Sequence, residues 1–283
     1  MTANHRPVHI VVDSTADLIP EWIGDLPISA VPLTVDVDGQ SFLDGIELST
    51  DEFVRYLRGG SIPKTSQPSI GAFQEHYQKI LDTGHDIVSI HISPKLSGTM
   101  NSATQARATL DTEAIHIVDS ATITMAIGFM AIEAAEMAQA GKSAAEIASY
   151  VEQRRHDTRL FATLETLEYL RRGGRIGRAA AMLGSALQLK PIIRIQDGVV
   201  EPVQRVRTYK KALQRLSAIY AETQPFEKLA VLHLGAPDEA ALLAERIQEV
   251  QPDVNLITGQ IGTVIGAYGG PGLVGFTGLV RSS

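Results

Sequence analysis

The chain has 283 residues, a formal net charge of −7, and 44% apolar against 20% charged residues. That length exceeds one compact core and points to two domains, and the composition is that of an ordered globular chain. The acidic balance without a long Lys/Arg run argues against nucleic acid or an anionic membrane surface as partner, and the absence of cysteine excludes disulfide and thiol chemistry.

The opening MTANHRPVHIVVD has neither a charged-then-apolar signal pattern nor an apolar stretch of bilayer length, so a cytoplasmic protein without stable membrane insertion is expected. PVHIVV (7–12) reads as a buried strand feeding the polar loop Asp13–Asp17. ISAVPLTVDV (28–37) reads as one strand entering a hairpin at Asp38-Gly39, and Ser49 to Glu52 has the spacing of a helix capping box.

The breaker-rich stretch 59–69 precedes a helix over 70–81. Strand 86–92, helix 97–110, strand 114–119 and a long apolar helix over 121–140 follow. This alternation is the grammar of an α/β fold with a parallel sheet. After a helix over 144–155 the pattern changes: strand 159–164, helix 165–171, the loop RRGGRIGR (171–178), and strand 189–195 with an Asp197-Gly198 hairpin. A helix over 208–223, strand 229–235, helix 238–250 and two glycine-rich strands within 254–280 complete a mixed sheet. The expected domains are therefore 1–157, N-terminal and α/β with a parallel sheet, and 158–283, C-terminal and mixed α/β.

Ligands of open α/β sheets sit where the loops after the strands converge. Four such loops, at 13–17, 64–69, 93–102 and 119–122, are rich in hydroxyls. A hydroxyl there can simply cap a helix N-terminus; four together with free N–H groups also suit an anion. Only Lys64 and Lys95 lie near and no phosphate-binding loop pattern occurs, so a carboxylate fits better than a phosphate.

Ser97 in LSGTM raises nucleophilic catalysis, but GxSxG is absent, and His91 and His116 fall inside apolar strand runs. No metal-ligand spacing is present. RRGGRIGR reads as a solvated basic turn or as a docking point for phosphate. The helix after residue 121, with Met125, Phe129 and Met130, is either buried between layers or the flank of an acyl tunnel.

VVDSTADL (11–18), KTSQPS (64–69), LSGTMNSA (96–103), VDSATI (118–123), RRGGRIG (171–177), LKPII (189–193), VRT (206–208) and IGAYGGPG (265–272) together resemble the DegV family along the whole chain. The resemblance implies a two-domain fold that encloses a long-chain fatty acid in a tunnel between the domains, with no cofactor beyond that ligand. It also implies a lipid-binding subunit, not an enzyme by itself, that presents the acyl carboxylate to a separate ATP-binding fatty acid kinase subunit. The family's carboxylate ligands carry over to Thr65 and Ser97, with Ser66 and the Gly98 amide beside them. Arg175 and Arg207 match arginines near the tunnel mouth and are expected to meet the kinase or its phosphate. At Tyr268 the family usually has histidine; a phenol still donates a hydrogen bond but removes a possible proton carrier. The alternative from the residues alone is an enzyme in its own right, a small-molecule kinase subunit or a hydrolase using Ser97.

Overall fold

The computed structural model describes residues 6–184, 189–223 and 225–281. In chain order the strands are β1 (Val8–Asp13), β2 (Ile28–Val31), β3 (Thr34–Val37), β4 (Gln40–Leu43), β5 (Lys64–Ser66), β6 (Asp86–His91), β7 (Ile115–Asp119), β8 (Thr158–Thr163), β9 (Lys190–Gln196), β10 (Val199–Val206), β11 (Phe226–Leu234), β12 (Asn255–Gln260) and β13 (Leu273–Val280). The described residues of Met1–Leu33 and Gln67–His156 pack as one unit, and those of Thr34–Ser66 and Asp157–Ser283 as a second.

The first unit is built on a parallel sheet of order β2-β1-β6-β7. Its middle strands are buried at all but one position each, as in a sheet covered on both faces, and the polar residues among them, such as Asp13, Ser89 and His91, are enclosed as well. Val11, Ile87 and Ile115 bury against Phe73 and Tyr77 of the helix Ile70–Asp82 and Ala103 and Ala106 of the helix Thr99–Leu110. The long helix is Met125–Gln139. Met125, Phe129 and Met130 have no exposed surface, and Trp22 meets Phe129 edge-on at 5.7 Å. That helix enters through Thr124, a β-branched residue held at φ 55°, where its Oγ1 donates to Asp17 Oδ2 at 2.6 Å. Such backbone persists only when its surroundings hold it.

The second unit contains a six-stranded sheet of order β10-β9-β8-β13-β11-β12, antiparallel except for the β11–β12 pair, and a three-stranded antiparallel sheet β4-β3-β5. Tyr220, Phe226 and Phe276 cluster in its core, with Tyr220 stacked on Phe226 at 5.3 Å. The two Asp-Gly hairpins form as the sequence implies: Asp38 and Gly39 stand at φ 50° and 81°, Asp197 and Gly198 at 50° and 72°.

Three expectations need correction. Residues 34–66, assigned by sequence to the N-terminal domain, pair and pack in the second unit instead. The run 28–37 is not one strand: β2 ends at Val31 and β3 begins at Thr34. Pro32 between them has no N–H for a sheet ladder, so the pairing breaks there. The glycine-rich end is not two strands alone either, because the helix Thr263–Gly269 lies between β12 and β13.

Candidate functional site

Thr65 lies in β5 opposite Val35. Its Oγ1 is 2.5 Å from the hydroxyl of Tyr268, which stands near the end of the helix Thr263–Gly269. Glycine seats that helix. A Cβ at Gly266 would lie 3.0 Å from both Leu234 and Phe53, and one at Gly269 only 2.2 Å from Leu273. The motif's glycines thus make room for close packing, and Gly270 at φ 74° ends the helix.

The loop GGRIG and the segment YGGPG are direct neighbours. A Cβ on Gly173 would fall 2.4 Å from the Tyr268 ring, and one on Gly270 would fall 2.3 Å from the Tyr169 ring. The Arg175 guanidinium stands 5.3 Å from the centre of the Tyr268 ring, a cation–π distance, and its Nη1 donates to the Gly173 carbonyl at 2.8 Å. Thr65, Tyr268 and Arg175 therefore form one cluster within the second unit. Ser66 is exposed at the end of β5, paired with Thr34. Arg207 is exposed in the turn after β10, and among the described residues no hydrogen bond or ion pair joins it to this cluster.

The other arginines of the loop are each ion-paired, though two arginines share each carboxylate. Arg171 and Arg172 both bind Glu168, at 2.7 Å and 2.6 Å, and hold its carboxyl down to about 2. Arg178 pairs with Glu201. The basic turn is largely a set of local ion pairs.

In the first unit, Ser97 Oγ is 2.8 Å from Thr99 Oγ1 and accepts from the Thr99 amide at 3.3 Å. Gly98 is the residue before the helix Thr99–Leu110 and brings no side-chain cap. The Gln67 amide group covers it, since a Cβ on Gly98 would lie 2.1 Å from Gln67 Oε1, and Gln67 Nε2 donates to Ser102 Oγ at 3.2 Å. Gln67 lies inside the TSQPS motif but its part beside Gly98 is set by folding, not by spacing.

Most of the remaining loop hydroxyls have the plainer use. Ser69 accepts from the Ala72 amide, Ser93 from that of Lys95 and Ser120 from that of Thr122. Each caps or closes a turn.

His91 is a fully partnered core residue with no exposed surface. Its Nδ1 is 3.0 Å from Asp13 Oδ2 and its Nε2 is 2.7 Å from Ser89 Oγ, which also meets the Tyr77 hydroxyl at 2.8 Å. Asp13 further accepts from the amides of Thr15 and Ile92. Burial pushes the Tyr77 phenol up. Among the described residues no histidine or acidic side chain bonds to Ser97.

Among the described residues no group of acidic or histidine side chains could hold a metal ion, and no helix is long and apolar enough to cross a membrane. Each unit thus carries a hydroxyl pair able to donate neutral hydrogen bonds, Ser97 with Thr99 in the first and Thr65 with Tyr268 in the second.

A family model described as an uncharacterised protein of the DegV family matches residues 7–280. A DegV domain-containing protein of Streptomyces coelicolor is 42% identical over 275 residues, covering 95% of this chain and 97% of that one. A solved DegV family protein from Thermus thermophilus, described by its fatty acid binding, superposes with a TM-score of 0.90 at 32% identity, covering 98% of this chain and 100% of that one. DegV of Bacillus subtilis, described as a fatty acid binding protein, superposes at 0.85 with 32% identity and the same coverage. The chain belongs to the DegV family.

Proposed function

We propose that this protein binds a long-chain fatty acid, with the carboxylate held by the hydroxyls of Thr65 and Ser97 and with Ser66, the Gly98 amide and Tyr268 as neighbours. The observation that carries the reading is the full-length likeness to solved relatives described as fatty acid binding proteins. The local chemistry supports it. Hydroxyls hold a carboxylate without burying a full counter-charge, and hydrogen bonds to a charged acceptor are the stronger kind. Orientation comes from the head group and affinity from the tail: at roughly 0.8 kcal/mol per buried CH₂, a sixteen-carbon chain gains about 12 kcal/mol before association costs.

The finer part of the proposal is presentation of the bound acid, in the cytoplasm, to a separate ATP-dependent kinase subunit. A carboxylate oxygen would attack the terminal phosphorus of ATP, the bond to ADP would break, and an acyl phosphate would form. Arg175 and Arg207 are assigned to the kinase or its phosphate. The enzyme alternative through Ser97 finds less support, because among the described residues Ser97 bonds to Thr99 and not to a base.

Native mass spectrometry of the purified protein, followed by solvent extraction, tests the first part. An adduct of one fatty acid mass, lost when Thr65 and Ser97 are both alanine, supports it. A clean mass that takes up no added fatty acid sinks it. For the second part, acyl phosphate formation with a cognate ATP-binding subunit should fall when Arg175 and Arg207 are alanine; unchanged formation removes their assignment.

A further inference from the structure

We propose that Asp44 is the positioning residue of the Thr65–Tyr268 pair. It is a buried carboxylate, 3% exposed, immediately after β4. Its Oδ1 accepts from the Thr263 amide at 2.9 Å, from Thr263 Oγ1 at 2.7 Å and from the Val264 amide at 3.4 Å. Those donors are the first groups of the helix that carries Tyr268. Thr263 is itself 1% exposed, so the cluster is enclosed and its charge-assisted hydrogen bonds act at low dielectric.

The other end of Asp44 is tied to Thr65. Leu43, its chain neighbour, pairs with Thr34, and Thr34 pairs with Ser66 beside Thr65. A single register row of the small sheet thus runs from the carboxylate to the strand of one hydroxyl, while its hydrogen bonds hold the helix of the other. Phe53, on the helix Thr50–Arg58 of the same segment, packs against Gly266 and fixes the helix body. Asp44 sets where that helix begins, and with it the placement of the Tyr268 hydroxyl against Thr65.

The experiment uses the full-length protein with tyrosine labelled by carbon-13 at Cζ, whose shift follows the hydrogen bonding of the phenol oxygen. Loss of a signal in Tyr268→Phe assigns it. Thr65→Ala is expected to shift it, Asp44→Ala to shift it in the same direction, and Asp44→Asn, which keeps an acceptor oxygen, to restore it. Should Asp44→Ala fail to fold, Thr263→Val removes one of the three donors and should shift the signal the same way. An unmoved signal in a folded Asp44→Ala or Thr263→Val protein overturns the proposal.

A second arm rests on the fatty acid reading and compares hexadecanoic acid with its methyl ester. Asp44→Ala should weaken the acid about tenfold and the ester by no more than about twofold, the change expected from one misplaced hydrogen bond to a charged group. Equal losses for both would mark a purely structural role and overturn the proposal. Wild-type protein that binds neither compound would sink the fatty acid reading alone, and the Cζ signal would then decide the role of Asp44.

Discussion

Thr65 and Tyr268 share a 2.5 Å hydrogen bond across 203 positions of sequence. Two hydroxyls joined this way have two protons, and one of them lies between the oxygens. Whichever residue donates, the pair offers one outward O–H to an acceptor. Removing either hydroxyl leaves the other able to turn outward, so Thr65→Ala and Tyr268→Phe should each weaken carboxylate binding about fivefold, near 1 kcal/mol. The double variant leaves no hydroxyl to turn outward and should lose more than the sum. Competition against a fluorescent fatty acid measures this, and strict additivity would show that the two hydroxyls act separately.

Gly98 and Gly173 are both close-packed, yet alanine should affect them differently. At Gly98 the obstructing atoms are the end of the Gln67 side chain, which can swing aside at the loss of its bond to Ser102. At Gly173 the obstacle is the ring of Tyr268, held by Thr65 on one side and facing Arg175. Overpacking against a fixed ring costs about 1–3 kcal/mol, so Gly173→Ala should lower the thermal midpoint and release Tyr268 from Thr65. Gly98→Ala should be nearly neutral in stability. Chemical denaturation of both variants checks the ranking, and the reverse order would contradict it.

Much of the fold was legible because local chemistry and global packing agree. β1, β6 and β7 are short segments rich in Val and Ile, the helices between them start at readable caps such as Ser69, and the Asp-Gly turns sit where glycine can take positive φ. The failures have physical causes. Periodicity over 28–37 does not record that Pro32 lacks an N–H, nor which sheet the next strand joins. The glycines of 262–272 read as part of two glycine-rich strands, whereas several of them are small because Phe53, Leu234, Leu273 and Tyr169 occupy the space beside them. Thr65, Ser97 and Arg175 were marked by motifs. Asp44 was not, because its meaning lies in donors 219 and 220 positions away.

Histidines should make the fold sensitive to mild acid. His9 meets Ser29 at 2.9 Å, and Ser29 meets His76 at 2.8 Å. Burial, then the neighbouring charges of His85 and His76, pushes His9 down to about 4. Burial also lowers His76 and His233. Histidine in the unfolded chain takes up its proton near pH 6.5, and the folded groups resist it. Their contribution is therefore complete above about pH 6.5 and is lost as pH falls toward about 4. Glu168 and Glu146, lowered to about 2 by their partners, act only at greater acidity. The thermal midpoint should drop between about pH 7 and pH 5, and less so in His9→Gln. Identical pH profiles for wild type and variant would remove His9 as a cause.

Ser89, His91 and Asp13 have the connectivity of a hydrolytic triad, serine to Nε2 at 2.7 Å and Nδ1 to carboxylate at 3.0 Å. All three have no exposed surface, and Ser89 is also bonded to Tyr77. An acyl carbon needs a path to the serine oxygen, and none exists where every side chain is enclosed; the same bonds make the network a structural brace beneath the loops after β1 and β6. A fluorophosphonate probe should leave Ser89 unlabelled in the folded protein. Ser89→Ala should instead cost about 1–3 kcal/mol, because Tyr77 and His91 lose a buried partner. Ser97→Ala removes a turn-closing acceptor and the partner of the Thr99 hydroxyl, and should cost about 1 kcal/mol. Labelling at Ser89 in the native state would mean that the core opens enough to admit a substrate, and would restore an enzymatic reading at a serine the motifs never marked.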